Sequence, residues 1–385
     1  MHVNIGLADL SNGALLGAVI LYALSMLGYA CDFAFARHRL TAPARPADLR
    51  AAAAVPAASA AVPVAAGRTG ADAAVLAGDG ALLADDEALL ADNEAAADGV
   101  PAGRGADPGP GAPPAPGGSG PGSAGRPARW PAGGWLRTAF GLACAGLVLH
   151  LLAITARGIS EHRVPWGNMY EFIMAFTAMA VLALIASSIW LRAYYLGLFV
   201  LLPVVLALAL DVTIIYTPAG SLVPALQSYW IAIHVTAMIV AIGLYILGAV
   251  VTVLYLIVDR HQRRVAAGLP ARGAGILAHL PGALVLDRLA YRSVLFGFPV
   301  WTFGVIAGAI WADQAWGRYW GWDPKETWSF ITWVVYAGFL HARATAGWRG
   351  RRAAWIQLAG FGCLLFNVIG INLWVTGLHS YAGMG

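Results

Sequence analysis

Seven of the chain's fifteen tryptophans fall between Trp301 and Trp333, and the central stretch reads WADQAWGRYWGWDPKETW. An aromatic belt where helices meet lipid headgroups needs one or two rings per helix end. Trp316, Tyr319, Trp320, Trp322 and Trp328 exceed that need, and Gly317 and Gly321 between them allow tight backbone turns. Broad π-faces on a turning backbone suit a large flat aromatic ligand held by stacking. Arg318, Asp323, Lys325 and Glu326 add charge to the same stretch. Lys325, the only lysine of the chain, reads either as a surface charge or as a contact to an anionic group of that ligand.

Histidines supply the second chemistry. An ionisable residue inside an apolar run is costly there and is a functional hypothesis by default. His234, in YWIAIHVTAM, lies about one turn inside the start of an apolar run, by the 1.5 Å rise per residue. His379, in WVTGLHSY, lies just beyond the end of another. Both fall at the level of the tryptophan stretch, and neutral imidazole is a common axial ligand of haem iron. His341, in WVVYAGFLHAR, lies toward the far half of its run and cannot reach the same iron. As a ligand it would serve a second site, and this chain offers it no obvious partner: His150 falls in the opposite half of its own run. His2, His38, His162, His261 and His279 read as solvated positions in tails or loops.

These residues need a scaffold, and composition identifies it. The chain is 59% hydrophobic and 11% charged, against about 25% charged in soluble domains. Eight apolar stretches, near 11–36, 138–156, 169–190, 195–215, 229–258, 293–312, 327–346 and 354–375, are each long enough to cross a hydrocarbon core of roughly 30 Å. The expected fold is therefore all-α, a polytopic membrane protein of about eight transmembrane helices. The first helix occupies 1–40 and reads as retained, since no basic segment precedes it. Residues 41–131 are dominated by Ala, Pro, Gly and Asp, end in PGPGAPPAPGGSGPG, and read as a disordered linker. Inside it ALLADDE (81–87) and ALLADNE (88–94) form a tandem pair, too short for a stable coiled coil. Residues 132–385 form the remaining membrane domain, with the tryptophan-rich loop at 313–328.

Charge sets the expected orientation. The net charge of +4 comes mainly from arginines at the ends of apolar runs, a pattern that orients helices and does not point to nucleic acid. Arg260, Arg263, Arg264, Arg272, Arg288 and Arg292 lie between the fifth and sixth stretches, and Arg343, Arg349, Arg351 and Arg352 between the seventh and eighth. Those loops and the linker are expected on the cytoplasmic side, which puts the tryptophan loop, His234 and His379 on the outer face. Asp323-Pro324 with Glu326 reads as a helix start: a capping carboxylate, proline in the first turn and an acid near the positive helix end. Glu171, in RVPWGNMYEF, reads first as an acid favoured at a helix N-terminus. Cys31, Cys144 and Cys363 show no C-x-x-C spacing. No phosphate loop, H-E-x-x-H or Ser-His-Asp arrangement is present.

The run from Trp316 to Trp328, continuing through Ile331-Thr332-Trp333 to Leu340-His341-Ala342-Arg343, closely resembles the WWD signature of the CcsA/ResC family, haem-handling proteins of system II cytochrome c biogenesis. PWGNMYE resembles that family's P-x-x-N-x-Y-E segment, and the resemblance covers roughly 130–385. The related CcmC and CcmF share a WGxxWxWD core, but D-P-K-E-T-W with a following L-H-x-R is similar to CcsA. The resemblance implies that His234 and His379 match the family's two external histidines, which ligate haem iron beside the loop. It implies that Trp316, Trp320, Trp322, Asp323 and Trp328 belong to the haem-binding surface. His341 matches the family's transmembrane histidine, which pairs with one on a partner, CcsB/ResB. Further implications are haem b as the substrate haem, an apocytochrome c carrying CxxCH, thiol-reducing thioredoxin-like proteins as partners, and a place in a cytochrome c synthase complex of the cell membrane. A haem exporter and an electron-transfer haem b subunit are the rival classes.

Overall fold

The computed structural model describes residues 3–40, 133–220, 228–270, 277 and 280–379. The stretch read as a linker, 41–131, with its tandem heptads, lies outside the described residues. Every one of the eight apolar stretches forms a helix. They are α1 (Ile5–Leu40), α2 (Gly134–Glu161), α3 (Met169–Leu191), α4 (Gly197–Leu210), α5 (Tyr229–Ala266), α6 (Ala283–Trp316), α7 (Pro324–Ala344) and α8 (Arg351–Leu365). A 3₁₀ turn, Tyr194–Leu196, leads into α4 and a π turn, Asp211–Ile215, ends it. A second π turn, Phe366–Gly370, joins α8 to the short α9 (Ile371–Trp374). No strand occurs among the described residues.

Seven of these segments are long and apolar enough to cross a membrane; the other, α7, is 21 residues long and carries Lys325, Glu326 and Arg343 near its ends. The chain is a multi-pass membrane protein. Apolar helices give little mutual hydrophobic drive in lipid, so close packing and hydroxyl contacts must join them. Between the antiparallel α1 and α2, Ser11 Oγ donates to Ala153 O at 2.8 Å and Ser25 Oγ to Ala139 O at 2.7 Å. His150 is fully buried at this interface, with Nδ1 3.3 Å from Tyr22 Oη. α5 and α6 pack along most of their length, and Tyr245 of α5 stacks on Tyr336 of α7 at 4.1 Å.

Alternating helices gather α2's end, the starts of α3, α5 and α7, the end of α6 and α9 at one end of the bundle. Four charges are sealed there. Arg157, Glu161, Arg163 and Glu171 form a neutral quartet with N–O distances of 2.6–3.2 Å, and the Arg157 and Glu171 side chains are fully buried. Glu171 also accepts from Gly167 N at 2.8 Å and Asn168 Nδ2 at 3.1 Å, while Asn168 Oδ1 caps α3 by accepting from Glu171 N. Glu171 thus does more than favour a helix N-terminus: it ties the PWGNMYE turn to the end of α2. At the opposite end, Arg343 forms a two-pronged pair with Asp287 at 2.9 Å.

Candidate functional site

The tryptophan stretch begins within a helix. α6 runs through Trp316 and stops at Gly317, whose φ of 71° is the left-handed conformation that glycine adopts without strain. The non-helical segment is therefore 317–323, shorter than the expected 313–328. α7 then starts as the sequence implies. Asp323 caps it, and the Glu326 carboxylate reaches back to Asp323 N at 3.1 Å and to Gly321 N at 2.9 Å. Arg318 closes the turn with a guanidinium nitrogen 3.4 Å from Glu326.

Beside this turn lies a cavity of about 1070 Å³, counting the open solvent space at its mouth. α3, α5, α6, α7 and the final π turn all contribute walls. Trp166, Trp301, Trp311, Trp316 and Trp320 line it among aliphatic side chains, and both His234 and His379 reach it. Glycine makes one of these positions possible: a Cβ on Gly308 of α6 would lie 2.7 Å from the His234 ring.

The two histidines arrive in matching states. His234 Nδ1 lies 2.7 Å from Gly304 O; a carbonyl only accepts, so Nδ1 carries the proton and Nε2 the lone pair. His379 Nδ1 lies 2.8 Å from Asp323 Oδ2. Burial alone would raise the Asp323 carboxyl, but hydrogen bonds from His379, from Leu378 N at 2.7 Å and from Lys325 N hold it below the usual carboxylate range. Burial pushes the His379 imidazole below its ordinary value; Asp323 opposes that shift and Lys325 adds to it. An ionised Asp323 facing a neutral His379 fixes the proton on Nδ1 and leaves the lone pair on Nε2, the state that binds a metal. Trp311 touches both rings, stacked on His234 at 6.0 Å and edge-on to His379 at 5.8 Å.

The expected residues separate into groups. His234, His379, Trp316 and Trp320 line the cavity, and Asp323 stands behind His379. Trp322 is 64% exposed, at a positive φ of 59°, and packs edge-on to Trp320. Trp328 leans away onto Phe366 at 4.3 Å. His341 is exposed near the far end of α7, about 25 Å along the helix axis from Pro324 by the rise per residue. Sequence reasoning missed Trp166, Asn367 and Asn372. Asn367 is 3% exposed at the cavity wall, and its Oδ1 takes no hydrogen bond among the described residues. A polar side chain inside an apolar run was the available signal for both asparagines. Trp166 had none beyond its place in the PWGNMYE turn.

Comparison with known proteins matches residues 166–379 to the family described as Cytochrome C assembly protein. That interval opens at Trp166 and closes at His379, both on the cavity wall. Among curated relatives, the cytochrome c biogenesis protein CcsA of Gloeobacter violaceus is 36% identical over 276 residues, 59% of this chain and 81% of that protein. CcsA of Guillardia theta is 34% identical over 267 residues, 64% of this chain and 87% of that protein. CcsA of Chlamydomonas reinhardtii is 44% identical over a shorter 163 residues, 42% of this chain and 43% of that protein.

Proposed function

We propose that this chain, which belongs to the CcsA-type cytochrome c assembly protein family and has a role in cytochrome c biogenesis, holds haem b as a substrate in the aromatic cavity and presents it for covalent attachment to apocytochrome c. One observation carries the reading. His234 and His379, from distant parts of the sequence, reach one tryptophan-lined cavity, each with Nδ1 engaged so that Nε2 bears the lone pair. A cavity with that donor set fits an iron porphyrin: nitrogen ligands for the metal and flat aromatic faces for the macrocycle.

Attachment adds a cysteine S–H across a haem vinyl group, forming a carbon–sulfur bond with no net redox change. No side chain of the cavity is needed as a nucleophile. The chain's contribution is to orient the macrocycle, exclude water with its indoles and control the iron through its ligands. Trp322 and Tyr319, exposed at the tip of the turn, then lie where an apocytochrome bearing reduced CxxCH would approach, with thioredoxin-like proteins keeping its thiols reduced. Placement of this end on the outer face of the cell membrane rests on the arginines of the opposite loops. His341, exposed near the other end, is suited to pair with a histidine of a CcsB/ResB-like partner in a separate site through which haem enters.

The test is co-expression of the chain with its partner and an apocytochrome, counting covalent haem. His234→Ala with His379→Ala abolishes holocytochrome and the haem bound at the cavity, whereas His341→Ala spares the spectrum of haem already at that site. Covalent haem formed without both cavity histidines overturns the assignment. Tightly held redox haem without any holocytochrome points to electron transfer instead.

A further inference from the structure

Lys325 places the chain's single lysine ammonium on the wall of a mainly aromatic and aliphatic cavity. Its Nζ donates to Asn372 Oδ1 at 2.7 Å and forms no ion pair among the described residues. The carboxylates nearby are otherwise engaged. Asp323 accepts from His379 and from the Leu378 and Lys325 backbone, and Glu326 serves Gly321 N, Asp323 N and Arg318. Asn372 is fixed in turn, since its Nδ2 donates to Val368 O at 2.6 Å and lies 3.1 Å from Met169 Sδ. Its oxygen therefore faces the ammonium, and two of the three Lys325 N–H donors keep no partner among the described residues.

The position is unfavourable for a cation considered alone. Lys325 stands in the first turn of α7, at the positive end of the helix dipole, and partly buried charges call for a counter-charge. An anion supplied from the cavity satisfies both. We infer that Lys325 is the anchor for a carboxylate of the bound ligand, so that the cavity selects a porphyrin with free propionates and fixes which edge of it faces the open mouth. This inference rests on the haem reading of the cavity. It adds an ionic contact that the iron ligands do not provide, and it resolves the two readings of Lys325 in favour of ligand contact over a surface charge.

The experiment compares two probes on the full-length chain in detergent: haemin and haemin dimethyl ester, whose two carboxylates are methylated. Both are titrated by Soret absorbance, with the His234→Ala, His379→Ala double variant as the background. The wild type is expected to bind haemin at least about tenfold more tightly than the diester, the size of a charged hydrogen bond. Lys325→Met brings that ratio close to one while the histidine-ligated spectrum persists, and Lys325→Arg retains the preference. A wild-type ratio near one overturns the inference without use of any variant, as does a ratio that Lys325→Met leaves intact. If neither probe gives a histidine-ligated spectrum in the wild type, the haem reading itself fails, a result distinct from the first.

Discussion

Replacing Asp323 by Asn removes one charge and one acceptor while keeping size and shape. Asn caps helices about as well as Asp, so α7 should still start at Pro324. Asp323 uses both oxygens: Oδ1 for Leu378 N, Oδ2 for His379 Nδ1 and Lys325 N. Asn has a single oxygen and cannot serve both sides. If its NH₂ faces His379, the imidazole must accept on Nδ1, which moves the ring proton to Nε2 and removes the lone pair that binds iron. If its oxygen faces His379, a charged hydrogen bond of about 1.5–3 kcal/mol becomes a neutral one of about 0.5–1.5 kcal/mol. The weaker acceptor makes Nε2 a poorer donor to iron, and loss of such a partner of a metal-ligating histidine typically weakens metal binding about 10- to 100-fold, the loss expected for haem at pH 7. Acid sensitivity moves the other way. Protonated His379 cannot ligate iron, so ligation is present above the folded pKa and lost as pH falls through it. In the wild type burial already holds that pKa below the ordinary value, and the Asp323 carboxylate limits the fall. Without the carboxylate the pKa falls further, so Asp323→Asn weakens binding at neutral pH yet shifts the acid loss of ligation to lower pH. Soret titration across pH reads both. Unchanged affinity, or an acid midpoint that rises, refutes the reasoning.

Two other substitutions probe the scaffold. Gly308→Val puts side-chain atoms where even a Cβ would lie 2.7 Å from the His234 ring; haem titration should show loss of ligation, while circular dichroism shows the helices intact. Glu171→Gln leaves Arg157 and Arg163 partly uncompensated in a buried quartet and should cost about 3–5 kcal/mol of stability, read as a lower thermal midpoint in detergent. The same variant frees Gly167 and Asn168 from the carboxylate, so proteolysis should increase at the turn carrying Trp166.

The sequence by itself determined the helices, because an apolar run of about twenty residues has one stable form in lipid: its backbone must satisfy its own hydrogen bonds. It determined the cap of α7 for a similar reason, since Asp323, Pro324 and Glu326 act on a few neighbouring peptide groups. It also singled out His234, His379, Trp316 and Trp320, as ionisable or bulky aromatic residues where apolar segments end. Tertiary structure alone decided which of these share a wall. Trp322 and Trp328 belong to the same motif, yet the left-handed backbone at Trp322 turns that ring outward and the helical phase of Trp328 sends it to Phe366. The partners of Glu171 come from α2, and the acceptor for Lys325 comes from α9 near the end of the chain. Such pairings depend on how helices pack side by side, which local spacing does not encode. The tryptophan stretch and the histidines were legible as chemistry; the cavity that makes them a site exists only where five segments meet.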